Sequence, residues 1–262
     1  MDMLNRIAVF GGVYNNYLAL AAALADVRRR GVDAVYCLGD LGAFGPYPDR
    51  VFPLLHEHGV QCIQGNYDNS IGNDLADCQC GYTDPRDNYF ARISYQYTYQ
   101  NTSPANRSWL GQLPGQRRLR LGRYNLLLCH GSPRQMNEFL WESTTPTHFL
   151  DQLTDVHRAD VILTTHTGIK WQRPLSRDRH FVNVGVLGRP ENDGATNVWY
   201  ALLEARPEFR VEYIPVAYDY ERLAKEMGAE KLPEEFVRTV RTGWWTTCLE
   251  ILPAKERRRG KF

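Results

Sequence analysis

At 262 residues with 43% hydrophobic content, the chain is long enough for one large core or two small ones. Lysine and arginine total 31 against 30 acidic residues, a formal net charge of +1, so bulk charge gives no support to nucleic-acid or membrane-surface binding. No apolar run reaches the roughly 18 residues of a membrane span, and residues 1–10 lack a signal peptide's layout, so the expected location is cytoplasmic.

The first half alternates strand and helix. Short apolar runs predict strands at 6–10, 33–38 and 60–64, and apolar spacing of three to four predicts helices at about 16–30 and 49–58. This is the βαβ pattern of a parallel sheet. Residues 85–113 read as helical, with Tyr89, Phe90, Tyr95, Tyr97 and Tyr99 as packing residues rather than a stacking platform. Strands follow at 117–121, 124–129, 160–164, 180–184, 196–204 and 208–215, then helices at 219–228 and 233–242. No internal repeat or low-complexity linker divides the chain, which predicts one domain over 1–262 with a helical extension from about 219. The basic run from Arg257 to Lys261 reads as a solvated tail.

The six cysteines do not form the pattern of a disulfide framework. Cys37, Cys62 and Cys129 end apolar strands and read as small core residues. Cys78 and Cys80 lie in a polar loop, and Cys248 follows a helix near the C-terminus, so these three are candidates for chemistry.

The other polar candidates sit at strand ends, where open α/β sheets bind ligands. Asp40 follows "VYCLG", Asn66 and Asp68 follow "CIQG", His130 follows "LLLC" and His166 follows "ILTT". One aspartate, one asparagine and two histidines from four strand ends suit a single divalent transition metal, Zn²⁺, Mn²⁺ or Fe²⁺. By contrast, the first strand runs into "GGVYNN", a turn with no reactive group.

These blocks resemble the calcineurin-like metallophosphoesterases, in particular their small bacterial and archaeal phosphodiesterase-like branch. "CLGDLGAFGPYP" at 37–48, "IQGNYDN" at 63–69, "LLLCHGSP" at 126–133, "TTHTG" at 164–168 and the closing strands at 182–204 occur in that family's order. "AYD" at 217–219 matches a tyrosine-aspartate that often follows. The resemblance implies a four-layer α/β/β/α sandwich of two mixed sheets. It also locates departures. The family's first motif, D-x-H-G-N, aligns with Gly12, Val13, Tyr14, Asn15 and Asn16, so its aspartate and histidine are absent. Gly168 replaces the final histidine of G-H-T-H, and Tyr67 replaces the histidine of G-N-H-D. One metal site of the family's pair loses three groups, while the other keeps all four: Asp40, Asn66, His130 and His166. The opening turn then reads as the floor of a vacated site.

A shared nucleophile between two cations is thereby excluded, but one cation can still polarise an oxygen and acidify water. Tyr67 is a candidate proton donor, poorly matched to neutral pH, with a packed aromatic as the plainer reading. Asp68 is either a base or a hydrogen-bond acceptor for its own loop. The leading expectation is a mononuclear hydrolase of a phosphoester or related ester, acting on a small, anionic molecule, with no nucleic-acid or membrane partner. Competing readings are a non-hydrolytic lyase or redox enzyme using Cys78, Cys80 or Cys248, a binding protein whose "GGVYNN" turn holds an anion through backbone N–H groups, and an inert scaffold. The segment Thr242 to Glu256, with Trp244 and Trp245, is expected to dock on the body. There it either covers an exposed sheet edge or helix face, or carries Cys248 toward Gly12, Tyr14 and Gly168.

Overall fold

The computed structural model describes residues 4–258. Its first half comprises β1 (Arg6–Phe10), α1 (Tyr17–Arg30), β2 (Ala34–Cys37), α2 (Val51–Glu57), β3 (Gln61–Cys62), α3 (Asn66–Gly72), α4 (Pro85–Asn101) and α5 (Pro104–Gly111). Then come β4 (Gln116–Leu121), β5 (Tyr124–Cys129), α6 (Thr147–Val156), β6 (Val161–Thr164), β7 (Trp171–Leu175), β8 (Arg179–Asn183), β9 (Val198–Glu204), β10 (Arg210–Val216), α7 (Tyr220–Ala229), α8 (Glu234–Thr242) and α9 (Ala254–Arg257).

The strands make two five-stranded sheets, ordered β10-β9-β1-β2-β3 and β4-β5-β6-β8-β7. Both are mixed: β1, β2 and β3 run parallel, while β9 is antiparallel to β1. Strand alternation generates the layers. Ile7 and Val9 of β1 face Leu126 and Leu128 of β5 and Leu163 of β6, forming the core between the sheets. Ala8 and Phe10 point the other way, under Leu20, Leu24 and Val27 of α1 and Phe236 and Val240 of α8. On the far side Leu127, Ile162 and Phe181 pack beneath Leu150 and Leu153 of α6. The result is helices, sheet, sheet, helix. Each fully buried Leu, Ile or Phe side chain in these layers contributes about 1.5–3 kcal/mol.

Local chemistry sets the element ends. Asn16 caps α1 by accepting from the Ala19 amide, and Gly31 ends it in the left-handed region at φ 63°. The predicted helix over 85–113 is two helices, because the chain turns extended at Thr102 and Ser103 and Pro104 starts α5. Four elements were not expected: β7, α3, α6 and the one-turn α9. β7 carries Gln172, Arg173 and Pro174, and it survives as an edge strand where a missing proline N–H costs no ladder bond. α3 and α6 are short and rich in residues of low helix propensity.

The C-terminal segment does dock. Trp245 is 3% exposed and packs with Trp141, Ile169 and Leu252. Its indole N–H donates to Pro190 O at 2.6 Å, and its amide donates to Asn192 Oδ1 at 2.8 Å. Arg86 and Asp87 of α4 hold the same segment through Thr246 O and the Ile251 amide. Of the basic run read as a solvated tail, Arg257 donates to the carbonyls of Leu249 and Glu250, so it is not a free charge; residues 259–262 lie outside the described residues. Trp245→Ala should therefore cost about 3–5 kcal/mol of unfolding free energy. A urea denaturation midpoint unchanged from the parent would show that the segment is not anchored there.

Candidate metal centre

Asp40, His130 and His166 converge from the ends of β2, β5 and β6, with one ligand atom from each lying within 4.8 Å of the others. His130 Nε2 is 3.3 Å from Asp40 Oδ2 and 3.1 Å from His166 Nδ1. Ligand atoms bound about 2.0–2.2 Å from one cation lie about 3.0–3.5 Å apart, so these spacings fit a shared ion. His130 Nδ1 lies 2.7 Å from Leu38 O, and donating there leaves Nε2 as the electron-pair donor.

Asn66, the fourth expected ligand, begins α3. The amides on either side are held, Gly65 N–H by Asp68 Oδ2 and Tyr67 N–H by Asp40 Oδ1. Its Nδ2 donates to Cys78 O at 2.8 Å, whereas its Oδ1 is buried with no hydrogen-bond partner. A buried, unpartnered carboxamide oxygen beside Asp40 is the group a cation would satisfy. Asp40 and His166 both sit at positive φ, 57° and 41°, conformations that store strain in non-glycine residues.

Burial alone would raise the Asp40 carboxyl, but His130 and His166 beside it outweigh that and hold it below the usual range. Burial works to lower His130, yet Asp40 more than compensates and raises it. Burial and the His130 charge push His166 down to about 3, so its ring is neutral at physiological pH. The Asp40 charge thus favours a proton on His130, for which a bound cation would compete.

The remaining candidates have the following surroundings. Asp68 is fully buried and accepts from three backbone amides, Asp40 (2.7 Å), Leu41 (2.9 Å) and Gly65 (2.9 Å), an environment suited to an acceptor rather than a base. Burial and the Asp40 charge push its carboxyl up, and the amides oppose them. Tyr67 is 5% exposed, its hydroxyl donates to Ala91 O, and burial drives its acidity far below that of a free phenol. Cys78 and Cys80 are joined as a disulfide, so neither is the free thiol ligand or nucleophile the sequence allowed. Cys37, Cys62 and Cys129 are buried as expected.

The opening turn needs a second correction. The Gly12, Tyr14 and Asn15 amides donate to the carbonyls of Gly39, Asp40 and Leu41, and the Asn16 amide to Val13 O. These four N–H groups are spent within the protein and are not offered to an anion. Its glycines serve close approach: a Cβ on Gly11 would meet Thr165 Oγ1 at 2.2 Å, and one on Gly12 would meet Val186 Cγ1 at 2.5 Å. Beyond the turn, Tyr14, Phe44, Tyr67, Tyr82, Phe90, Arg189, Phe236, Thr247 and Cys248 line a narrow cavity. Cys248 thus faces the same side of the molecule as Tyr14. Sequence reasoning missed Arg189 and Tyr82, because nothing sets one arginine or one tyrosine apart among many.

Because His130 must lose its proton to bind a cation and its pKa is raised, metal affinity should fall as pH drops through that value, by about tenfold per unit below it. Chelator competition from pH 8 to pH 5 measures this. An affinity flat across that range would remove His130 from the ligand set.

Comparison with known proteins agrees with the geometry. The model of the calcineurin-like phosphoesterase superfamily domain matches residues 6–207. The uncharacterized protein MJ0912 of Methanocaldococcus jannaschii is 24% identical over 246 residues, covering 88% of this chain and 95% of the relative. Crystal structures of the hypothetical protein PH1004 from Pyrococcus horikoshii and of a metallophosphoesterase from Sphaerobacter thermophilus superpose with TM-scores of 0.78 and 0.69, at 22% and 23% identity. Each covers 92% of this chain and 99% of its own. With the family model spanning most of its length, the chain belongs to the calcineurin-like phosphoesterase superfamily.

Proposed function

We propose that the protein is a mononuclear, metal-dependent hydrolase of a phosphoester or related ester with a small anionic substrate. The observation that carries this reading is the convergence of the Asp40, His130 and His166 donor atoms within 4.8 Å, beside the unpartnered Asn66 oxygen. A divalent transition ion there would supply positive charge for a phosphoryl oxygen and lower the pKa of a water. Asp40 and Asn66 would hold the ion from the β2 and α3 side, with His130 and His166 opposite. Asp68 fixes Asp40 and the start of α3 through its three amide contacts.

The groups the family places at a second metal are absent at Gly12, Tyr14 and Gly168, which supports one ion rather than two. A Cβ at Gly168 would meet Trp245 Cη2 at 2.9 Å, so the C-terminal segment fills that space. Tyr67 hydrogen-bonds a carbonyl and lacks acidity near neutral pH, so it does not replace a leaving-group acid.

A second reading, cysteine-assisted non-hydrolytic chemistry, is favoured by one observation. Cys248 lines the cavity next to Tyr14 and Tyr67, and it does so at a strained φ of 58°.

Turnover of a generic aryl phosphodiester should be metal-dependent and weak, because general acid–base assistance alone is worth about 10²–10⁴-fold. His130→Ala should abolish it, while Cys248→Ala should leave it within about threefold. Rates matching an ordinary two-metal enzyme would contradict the mononuclear reading. Loss of all activity in Cys248→Ala, with metal retained, would favour the cysteine chemistry.

A further inference from the structure

Arg189 is 7% exposed and reaches into the cavity behind Tyr14. Its guanidinium carbon lies 3.6 Å from the centroid of the Trp245 ring and within 6.0 Å of the Phe44 and Tyr14 ring centroids. Stacking of this kind satisfies the flat faces of a guanidinium and leaves its N–H edge free. No carboxylate pairs with it among the described residues, and its Nε is buried without a hydrogen-bond partner. A buried charge normally carries a partner. Among the described residues, Arg189 is a buried cation without a partner anion.

Its position connects it to the missing second ion. A Cβ on Gly168, where the final histidine of the family's motif would stand, would lie 3.3 Å from Arg189 Nη2. A Cβ on Gly12, where the first-motif aspartate would stand, would lie 3.0 Å from the Tyr14 ring that borders the same cavity. Arg189 therefore lies directly beside the Gly168 position, and Gly12 borders the same cavity through the Tyr14 ring.

We propose that Arg189 takes the electrostatic place of the second metal and binds an anionic oxygen of the substrate's phosphoryl group, a specificity role that rests on the hydrolase reading above. Its N–H edge would donate charge-assisted hydrogen bonds to that oxygen, while the Trp245 face keeps the guanidinium from turning away. Arg189 is the one basic side chain among the residues lining this narrow, largely aromatic cavity.

The test is thermal unfolding of the full chain, as purified with its metal, in inorganic phosphate against chloride of equal ionic strength. Phosphate should raise the unfolding temperature of the parent protein, because a ligand bound only to the native state stabilises it. Arg189→Met, which keeps an unbranched stem against Trp245, should lose the response and melt no lower than the parent in chloride. Arg189→Lys retains a point charge without the planar fork, and should need at least about tenfold more phosphate for the same shift. An equal shift in Arg189→Met and parent, or none in the parent, overturns the proposal. If Arg189→Met does not fold, Arg189→Lys decides: an unchanged phosphate requirement overturns it. The hydrolase reading fails separately, when an Arg189-dependent phosphate shift is found without metal-dependent turnover.

Discussion

The Asp68 carboxylate ties the β2 loop to the first turn of α3 by accepting from the amides of Asp40, Leu41 and Gly65, all out of contact with water. Hydrogen bonds of this kind contribute about 0.5–1.5 kcal/mol each, and more where the acceptor is ionised. Here they offset the strain of Asp40 at φ 57° and impose helical geometry on "NYDNSIG", a stretch with little propensity for it. Asp40 in turn receives the Tyr67 amide, which settles Asn66 between two anchored residues. Without that buried carboxylate, two of the four candidate ligands would sit on independent loops.

Charge balance then links the metal cluster to the cavity beside it. Asp40 alone would be a buried anion, and it favours a compensating positive charge beside it, a proton on His130 or a metal ion. Arg189 has no such counterpart among the described residues. Its electrostatic influence reaches the phenols of Tyr14 and Tyr82, favouring their ionised forms against the larger opposing effect of burial. One negatively charged group lying across both sites would meet positive charge at each end.

Much of this was legible in the sequence because the candidate ligands end apolar strands, and strands of that composition bring their ends together once the sheets pack. The motif order supplied the sandwich of two mixed sheets, while the antiparallel pairing of β9 with β1 and β10 comes from the structure. Other features follow from tertiary contacts that no local pattern records. β7 was hidden by Gln172, Arg173 and Pro174, residues acceptable only because the strand lies at an edge. The opening turn was open to an anion-binding reading until the Gly39, Asp40 and Leu41 carbonyls were seen to use its amides. Arg189 gained significance only when Trp245, more than fifty residues later in the chain, was found stacked upon it.

The proposed function divides the site into one retained ligand set, Asp40, Asn66, His130 and His166, and a second position occupied instead by Tyr14, Arg189 and Trp245. Elemental analysis of the protein after exhaustive dialysis measures that division most directly. The account predicts one tightly held transition-metal ion per chain, lost on His130→Ala. Two ions per chain, or a dinuclear centre in a crystal structure of the metal-loaded protein, would contradict it.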